Sequence, residues 1–249
     1  MKQIAKDLLD KLGYAVINLN SFVETDCKWG PNILVYALND LSTRQSKPLK
    51  IVQIGANDGS EDDPLEQFLA RNDCTAILIE PMDHPFAALK EKYLHRDNIH
   101  TVQSAINDIA EDLIIHYIAD GSGKPDLSVY SSTDRDLVET HLNWQKQNHS
   151  GLERHTVLSK AIRAETVKSV LERFDMTAVD AIVVDAEGLD HKIVQGFLRD
   201  GIEPKIIRFE FRNMSRRNFH ETRAMLLERG YEIARSGIDI YCQKAVLLR

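Results

Sequence analysis

The sequence predicts one α/β domain built on a mostly parallel sheet. Short apolar runs alternate with helical segments from about residue 50 onward. The first run, residues 50–54 (KIVQI), stops at a glycine loop, Gly55-Ala56-Asn57-Asp58-Gly59-Ser60. About 25 residues past Gly55 an acidic residue, Glu80, closes the second run. A chain of 249 residues, 43% hydrophobic and 28% charged, suffices for one such domain with a full core.

Residues 1–48 read as an N-terminal helical extension. Ile4, Leu8, Leu9 and Leu12 recur at helical spacing, which predicts an amphipathic helix. Its stripe would pad the domain or form one half of a homodimer contact. The polar stretch 42–48 (STRQSKP) ends the extension, and residues 49–249 form the domain. Strand 1 is followed by a helix over 64–71 and by strand 2 at 76–80 (AILIE). Asp83 is placed to cap the next helix, with Pro85 in its first turn. Residues 99–106 hold strand 3, and 113–118 (LIIHYI) an added strand.

Residues 119–157 break the rhythm with a turn-rich segment, Ser131-Ser132-Thr133, a polar helix and a second loop. Such an insertion reads as a lid or binding element. Residues 164–174 read as helix, 179–185 (VDAIVVD) as buried strand 4, 188–198 as helix and 205–211 (KIIRFEF) as strand 5. The helix over 215–229 ends at Gly230, a plausible C-cap. Residues 231–234 and 238–243 flank Gly237 as a terminal hairpin.

The net charge of −7 argues against general nucleic-acid binding, which needs Lys and Arg at the phosphates. Cys27, Cys74 and Cys242 form no CxxC pair. Reduced thiols, no apolar run of membrane-span length and no signal-peptide core together predict a cytoplasmic protein.

Ligands of open parallel sheets bind beyond the carboxyl ends of the strands. Gly55 and Gly59 let the backbone turn and approach a ligand, and Glu80 can accept from two ribose hydroxyls. Both NAD and S-adenosylmethionine (SAM) use this layout. The dinucleotide pattern GxGxxG here reads Gly55, Asn57, Ser60, so two glycines are missing. SAM has no phosphates, and its ammonium and carboxylate suit a loop offering Asn57 and Asp58. Asn107, at the predicted end of strand 3, lies where adenine would be recognised, or is simply part of an Asn-Asp turn.

Several segments together resemble the FkbM-type methyltransferases: IVQIGANDGS, LIEP, SAIND, the Ser-Ser-Thr element, VVDAEGLDHKIVQGF and PKIIRFE. The resemblance covers roughly residues 50 to 243. It implies the Rossmann-like class I methyltransferase sheet, seven strands ending in an antiparallel hairpin. It implies SAM as cofactor, with Gly55, Asn57, Asp58, Gly59 and Glu80 in contact with it. It implies O-methylation of a hydroxyl on a sugar, glycan or small natural product. Gln53 departs from the family, where many relatives carry Asp; it can still hydrogen-bond, so cofactor binding is expected to survive.

Methyl transfer needs alignment of acceptor oxygen, methyl and sulfur, and a base for the acceptor proton. Asp185 and Glu187, at the end of strand 4, are the candidates, against a structural use as caps of backbone amides. Asp190 reads as a helix N-terminal carboxylate, and His191 as a tempting base on a first helical turn. Asp185, Glu187 and Glu210 could ligate magnesium, but no spacing demands it, and no metal is expected. Tyr130, Ser131, Ser132 and Trp144 could meet the acceptor, or the segment is simply a solvated helix packed by Leu137, Leu142 and Trp144. Two rival functions stay open: an NAD-dependent Rossmann enzyme, and a non-catalytic binding protein of the same fold. DNA or amine N-methylation is disfavoured, since no Asn/Asp-Pro-Pro-Tyr segment follows strand 4.

Overall fold

The computed structural model describes residues 33–45, 47–60 and 63–244. The amphipathic helix expected around Ile4, Leu8, Leu9 and Leu12 lies outside them, as does Cys27. Among the described residues α1 (Ile33–Arg44) comes first, then β1 (Leu49–Ile54), α2 (Glu66–Arg71), β2 (Cys74–Ile79), α3 (Asp83–Lys92) and β3 (Ile99–Val102). The middle of the chain forms β4 (Ala105–Ile106), β5 (Asp112–Ala119), α4 (Arg135–Asn148) and β6 (Thr156–Glu165). Then follow α5 (Val167–Arg173), β7 (Ala181–Val184), α6 (Asp190–Arg199), β8 (Ile206–Glu210), α7 (Arg216–Glu228), β9 (Tyr231–Ser236) and β10 (Asp239–Lys244).

The main sheet has seven strands in the order β3-β2-β1-β7-β8-β10-β9. Its first five strands run parallel, and β10 is antiparallel to both β8 and β9. The parallel strands are short apolar runs because helices cover both faces. Ile51, Val183 and Ile206 pack with Leu38 of α1, Phe68 of α2 and Leu89 of α3. Val52, Val184 and Phe209 point the other way, onto Val170 of α5, Phe197 of α6 and Leu226 of α7. Local signals start the helices: Asp134, Thr166 and Ser215 accept backbone N–H groups at the N-caps of α4, α5 and α7. Gly230 follows α7 with φ 74°, the left-handed position that glycine fills without strain.

Three local expectations change. Asp83 is the first residue of α3 rather than its cap, which is Met82. Its carboxylate pairs with Lys160 and accepts from Gln103. The strand expected over 99–106 splits, because only β3 joins β2. Ala105 and Ile106 turn away and pair in parallel with Ala164 and Glu165 of β6. The helix expected over 164–174 begins only at Val167. Residues 156–165 are instead a strand, β6, paired antiparallel with β5 from Asp112↔Arg163 to Ala119↔Thr156. Of β6 only Ala164 is buried, so its sequence carries no apolar alternation to read. Its partner across the ribbon makes it a strand.

Residues 119–157 thus join two strands of a second sheet, β4-β6-β5, which carries α4 on a small core of Ile118, Val138 and Leu142. Ser132 stitches it to the loop that follows β7. Ser132 exchanges backbone hydrogen bonds with His116 of β5, and its hydroxyl donates to the Glu187 carbonyl at 2.6 Å.

Where β1 ends, a Cβ on Gly55 would lie 1.8 Å from the Asp185 carbonyl oxygen, and φ there is +77°. Gly55→Ala should therefore cost more than about 3 kcal/mol, or prevent folding. Gly201→Ala, at φ +76° with open space around it, should cost only about 1–2 kcal/mol. Urea unfolding of the two variants checks the contrast; equal losses would show that backbone conformation, not the close approach, sets the requirement.

Candidate active site

From β1 the chain winds one way to β2 and β3, and β7 and β8 lie on the other side. At this switch point, beyond the carboxyl ends of β1 and β7, a cavity of about 340 Å³ opens. Gly55, Ala56 and Asn57 line one side, Asp185 and Glu187 another, and Tyr130, Ser131 and Ser132 of the insertion reach it from a third.

The glycine loop is held from β2. The Gly55 and Ala56 amides donate to the Ile79 carbonyl at 2.9 and 3.0 Å. Asn57 sits at φ 47°, and its amide donates to Glu80 Oε2 at 3.0 Å. Glu80 Oε1 accepts from the Met82 amide at 2.9 Å. Glu80 therefore fixes the loop first. Burial pushes its carboxyl up to about 7, against the pull of those two amides. Each oxygen keeps a second lone pair for a ligand hydroxyl.

Gly55, Asn57 and Glu80 thus share the cavity wall, whereas Asp58, Gly59 and Asn107 are not among its lining residues. Asp58 accepts from the Ser60 amide. Gly59, at φ +73°, faces Leu89 and Tyr93, and a Cβ there would come within 2.8 Å of Leu89 Cδ1. Asn107 is buried and donates to Glu111 at 2.6 Å. Its neighbour Asp108 pairs with Arg199 and packs against Gly196. Gln53, the departure in the loop, donates to Asp63 Oδ1 at 2.9 Å, and that oxygen also accepts from the Leu65 amide. Asp63 restores a carboxylate beside the loop.

On the β7 side the carboxylates crowd. Asp185, Glu187 and Glu210 place one oxygen each within 4.8 Å of one another. Asp185 faces Arg208 Nη1 at 3.7 Å. Burial raises its pKa, Arg208 opposes the rise, and Asp239 adds to it. Glu187 sits at φ 46° and accepts from Asn213 Nδ2 at 3.1 Å. Burial, then the charges of Asp185, Glu210 and Asp190, push it up to about 8. Glu210 goes to about 7 by burial and the nearby Asp185 and Asp190. Asp190 has another use: its carboxylate accepts from the Ala186, Gly188 and Glu210 amides at 3.3–3.4 Å, tying the β7–α6 loop to the end of β8. His191 is hydrogen-bonded to Asn218 of α7 and lies outside the cavity wall. Trp144 is exposed on α4 and outside it as well.

Sequence reasoning missed Arg208, Asp63 and Asp239. Arg208 had a readable signal, a lone charge inside the apolar run KIIRFEF of a strand covered on both faces. Asp63 and Asp239 stand in a loop and at a hairpin, where acids are ordinary.

The cofactor expected from the sequence can be tested against this wall. Four carboxylates (Asp63, Glu80, Asp185 and Glu187) and one guanidinium (Arg208) line the cavity. That set suits a sulfonium ligand of net positive charge. It would repel the two phosphates of a dinucleotide.

A methyltransferase FkbM from Methylobacillus flagellatus has a similar structure, at 14% identity and TM-score 0.50, over 78% of this chain and 43% of that one. The present chain therefore spans under half of that relative's length. Weaker likenesses are the N-terminal domain of human METTL16 in complex with SAH (12% identity, 95% and 78% coverage, TM-score 0.44) and Aeropyrum pernix fibrillarin with natively bound SAM (9%, 83% and 74%, TM-score 0.40). No curated protein matches the chain. Residues 53–233 match the model of the methyltransferase FkbM domain, from Gln53 at the loop to Ile233 in the terminal hairpin, and the chain belongs to that family.

Proposed function

We propose that this chain transfers a methyl group from SAM to a hydroxyl of a sugar, glycan or other small acceptor. The observation that carries the reading is the switch-point cavity with Glu80 on one side and the Asp185–Glu187–Glu210 cluster on the other. SAM supplies a methyl already activated on a sulfonium. Glu80 is positioned to accept from ribose hydroxyls with its remaining lone pairs. Asn57 and Gly55 shape the turn beside it. Asp185 and Glu187 stand across the cavity, where an acceptor entering past Tyr130, Ser131 and Ser132 would place its hydroxyl.

Glu187 is the better base of the two. A general base works best with a pKa near the working pH, and Glu187 is pushed up to about 8. Burial raises the Asp185 carboxyl and Arg208 opposes that rise, and the side chain stands where it would steady positive charge in the cleft. Ser132, bonded to the Glu187 carbonyl, couples the insertion to the base and would help close the site to water.

Calorimetric titration tests the cofactor. SAM and S-adenosylhomocysteine should bind and NAD should not, and Glu80→Ala should weaken binding at least about 10-fold through loss of ribose contacts and loop order. NAD binding without SAM binding would sink the proposal.

With an accepted substrate, kcat/KM should rise with pH and level off above about 8, because a base must lose its proton to act. Glu187→Gln should lower kcat by about 100-fold or more and remove that rise. A flat profile in the parent enzyme would assign the proton elsewhere.

The spacing of the three carboxylates also suits a hard divalent cation. We expect turnover to persist after chelation. Loss of activity with EDTA, restored by Mg²⁺, would transfer the cluster to a metal role.

A further inference from the structure

Acid lines the cavity, but the segment beside its mouth is basic. Asp63, Glu80, Asp185 and Glu187 face inward. In a chain of net charge −7, residues 212–223 hold four arginines, one histidine and a single acid, Glu221.

On α7, Arg216, His220 and Arg223 recur at i, i+4 and i+7 and so share one stripe along the helix. Arg216 and His220 are exposed and Arg223 is half-buried. Glu221 lies off the stripe and pairs with Arg217. Thr222 and Leu226 turn another side of the helix inward. Among the described residues Arg212, Arg216 and Arg223 have no ion pair and no side-chain hydrogen bond, whereas Arg229 farther down pairs with Glu203.

The fold starts this stripe at the site. The parallel strands end where the cavity opens, and α7 runs back from the end of β8. Arg216 therefore stands at the cavity end of the helix, and Arg223 lies about 10 Å farther along it. Arg212 occupies the turn between β8 and α7, in which the Met214 amide donates to the Phe211 carbonyl. Its neighbour Asn213 donates to Glu187. Burial and neighbouring carboxylates raise Glu187 and Glu210, and the Arg212 charge opposes the rise at both. The first turn of α6 joins the same rim: His191 is bonded to Asn218 of α7, and Lys192 beside it is exposed.

These charges lie within about one Debye length of their neighbours, so their potentials add. A neutral acceptor gains nothing from such a rim, and a cationic one is repelled by it. A compact anion is repelled by the carboxylates inside. A chain with repeated negative charge meets both conditions one way round. Its charges lie along α7, and one uncharged, hydroxyl-bearing end enters the cavity.

We propose that α7 and the turn before it form the docking surface for an acidic glycan, a sugar chain with a carboxylate or phosphate on its repeating units. Arg212, Arg216 and Arg223 take its charges, and the sugar that passes Arg212 presents its hydroxyl to Glu187. The proposal rests on the hydroxyl-acceptor reading above and adds charge and length to that acceptor.

Oligogalacturonate, a chain of sugar carboxylates, and a neutral malto-oligosaccharide of matched length test it. Calorimetry uses the full chain with S-adenosylhomocysteine present. Oligogalacturonate should bind at least about 10-fold more tightly than the neutral chain, and added salt should weaken it steeply. Arg216→Glu with Arg223→Glu should weaken oligogalacturonate at least about 10-fold and leave S-adenosylhomocysteine within about twofold. Arg71→Glu with Lys90→Glu makes the same charge change in the last turns of α2 and α3, at the far end of the sheet from the cavity. That control should leave both ligands within about twofold. Arg216→Gln with Arg223→Gln, expected to weaken oligogalacturonate about threefold, serves if charge reversal prevents folding. No binding of oligogalacturonate, equal binding of the neutral chain, or equal losses in the stripe and control variants would overturn the docking surface. So would tighter binding of a single-stranded RNA of equal charge. S-adenosylhomocysteine failing to bind the parent protein is a distinct result, and would overturn the methyl-transfer reading on which the surface depends.

Discussion

The close approach of β1 and β7 at Gly55 is the constraint on which the site depends. The Asp185 amide donates to the Ile54 carbonyl at 2.9 Å, and the Gly55 α-carbon lies against the Asp185 carbonyl with no room for a Cβ. This contact joins the last residue of one parallel ladder to the first residue beyond another. It sets where the glycine loop leaves the sheet and where Asp185 stands. From it follow the position of Asn57, which Glu80 then fixes from β2, and of Glu187, two residues past the contact.

The site also stores electrostatic tension. Burial resists ionisation, and Glu80, Glu187, Asp190 and Glu210 are all raised to about 7 or 8, the last three with help from neighbouring carboxylates. Arg208 is the buried cation that opposes this, placed between Asp185 and Asp239. A cationic ligand would relieve the remaining repulsion, so the same charges would favour a sulfonium in the cleft. Asp190 differs from its neighbours in accepting three backbone amides, which makes it part of the frame that holds the others.

The insertion adds the third side. Its β5–β6 ribbon and α4 have their own small core, so it reaches the cavity as a preformed body rather than a loose loop. The Ser132 hydroxyl on the Glu187 carbonyl joins the insertion's wall of the cavity to the wall that follows β7. Lys146 and His155 are spent inside this body: Lys146 bonds the His155 carbonyl, and His155 contacts Asp126.

The apolar runs of the main sheet, the glycine loop and the family were legible along the chain. Buried parallel strands are continuous apolar runs, and the residues of GANDG and of the Asp185–Asp190 segment are contiguous, so local reading suffices for them. It placed Gly55, Asn57, Glu80, Asp185 and Glu187, which the fold brings to one cavity. Only the tertiary structure decided the rest. β6 is a strand because β5 pairs with it from Thr156 to Arg163, while only Ala164 of its residues is buried. The side chains of Asp58 and Asn107 meet the Ser60 amide and Glu111, since a motif fixes backbone course and not side-chain direction. Arg208, Asp63 and Asp239 meet the site from separate segments, and their importance lies in burial and in opposite charge at close range. Those properties arise only when distant parts of the chain pack together and exclude water.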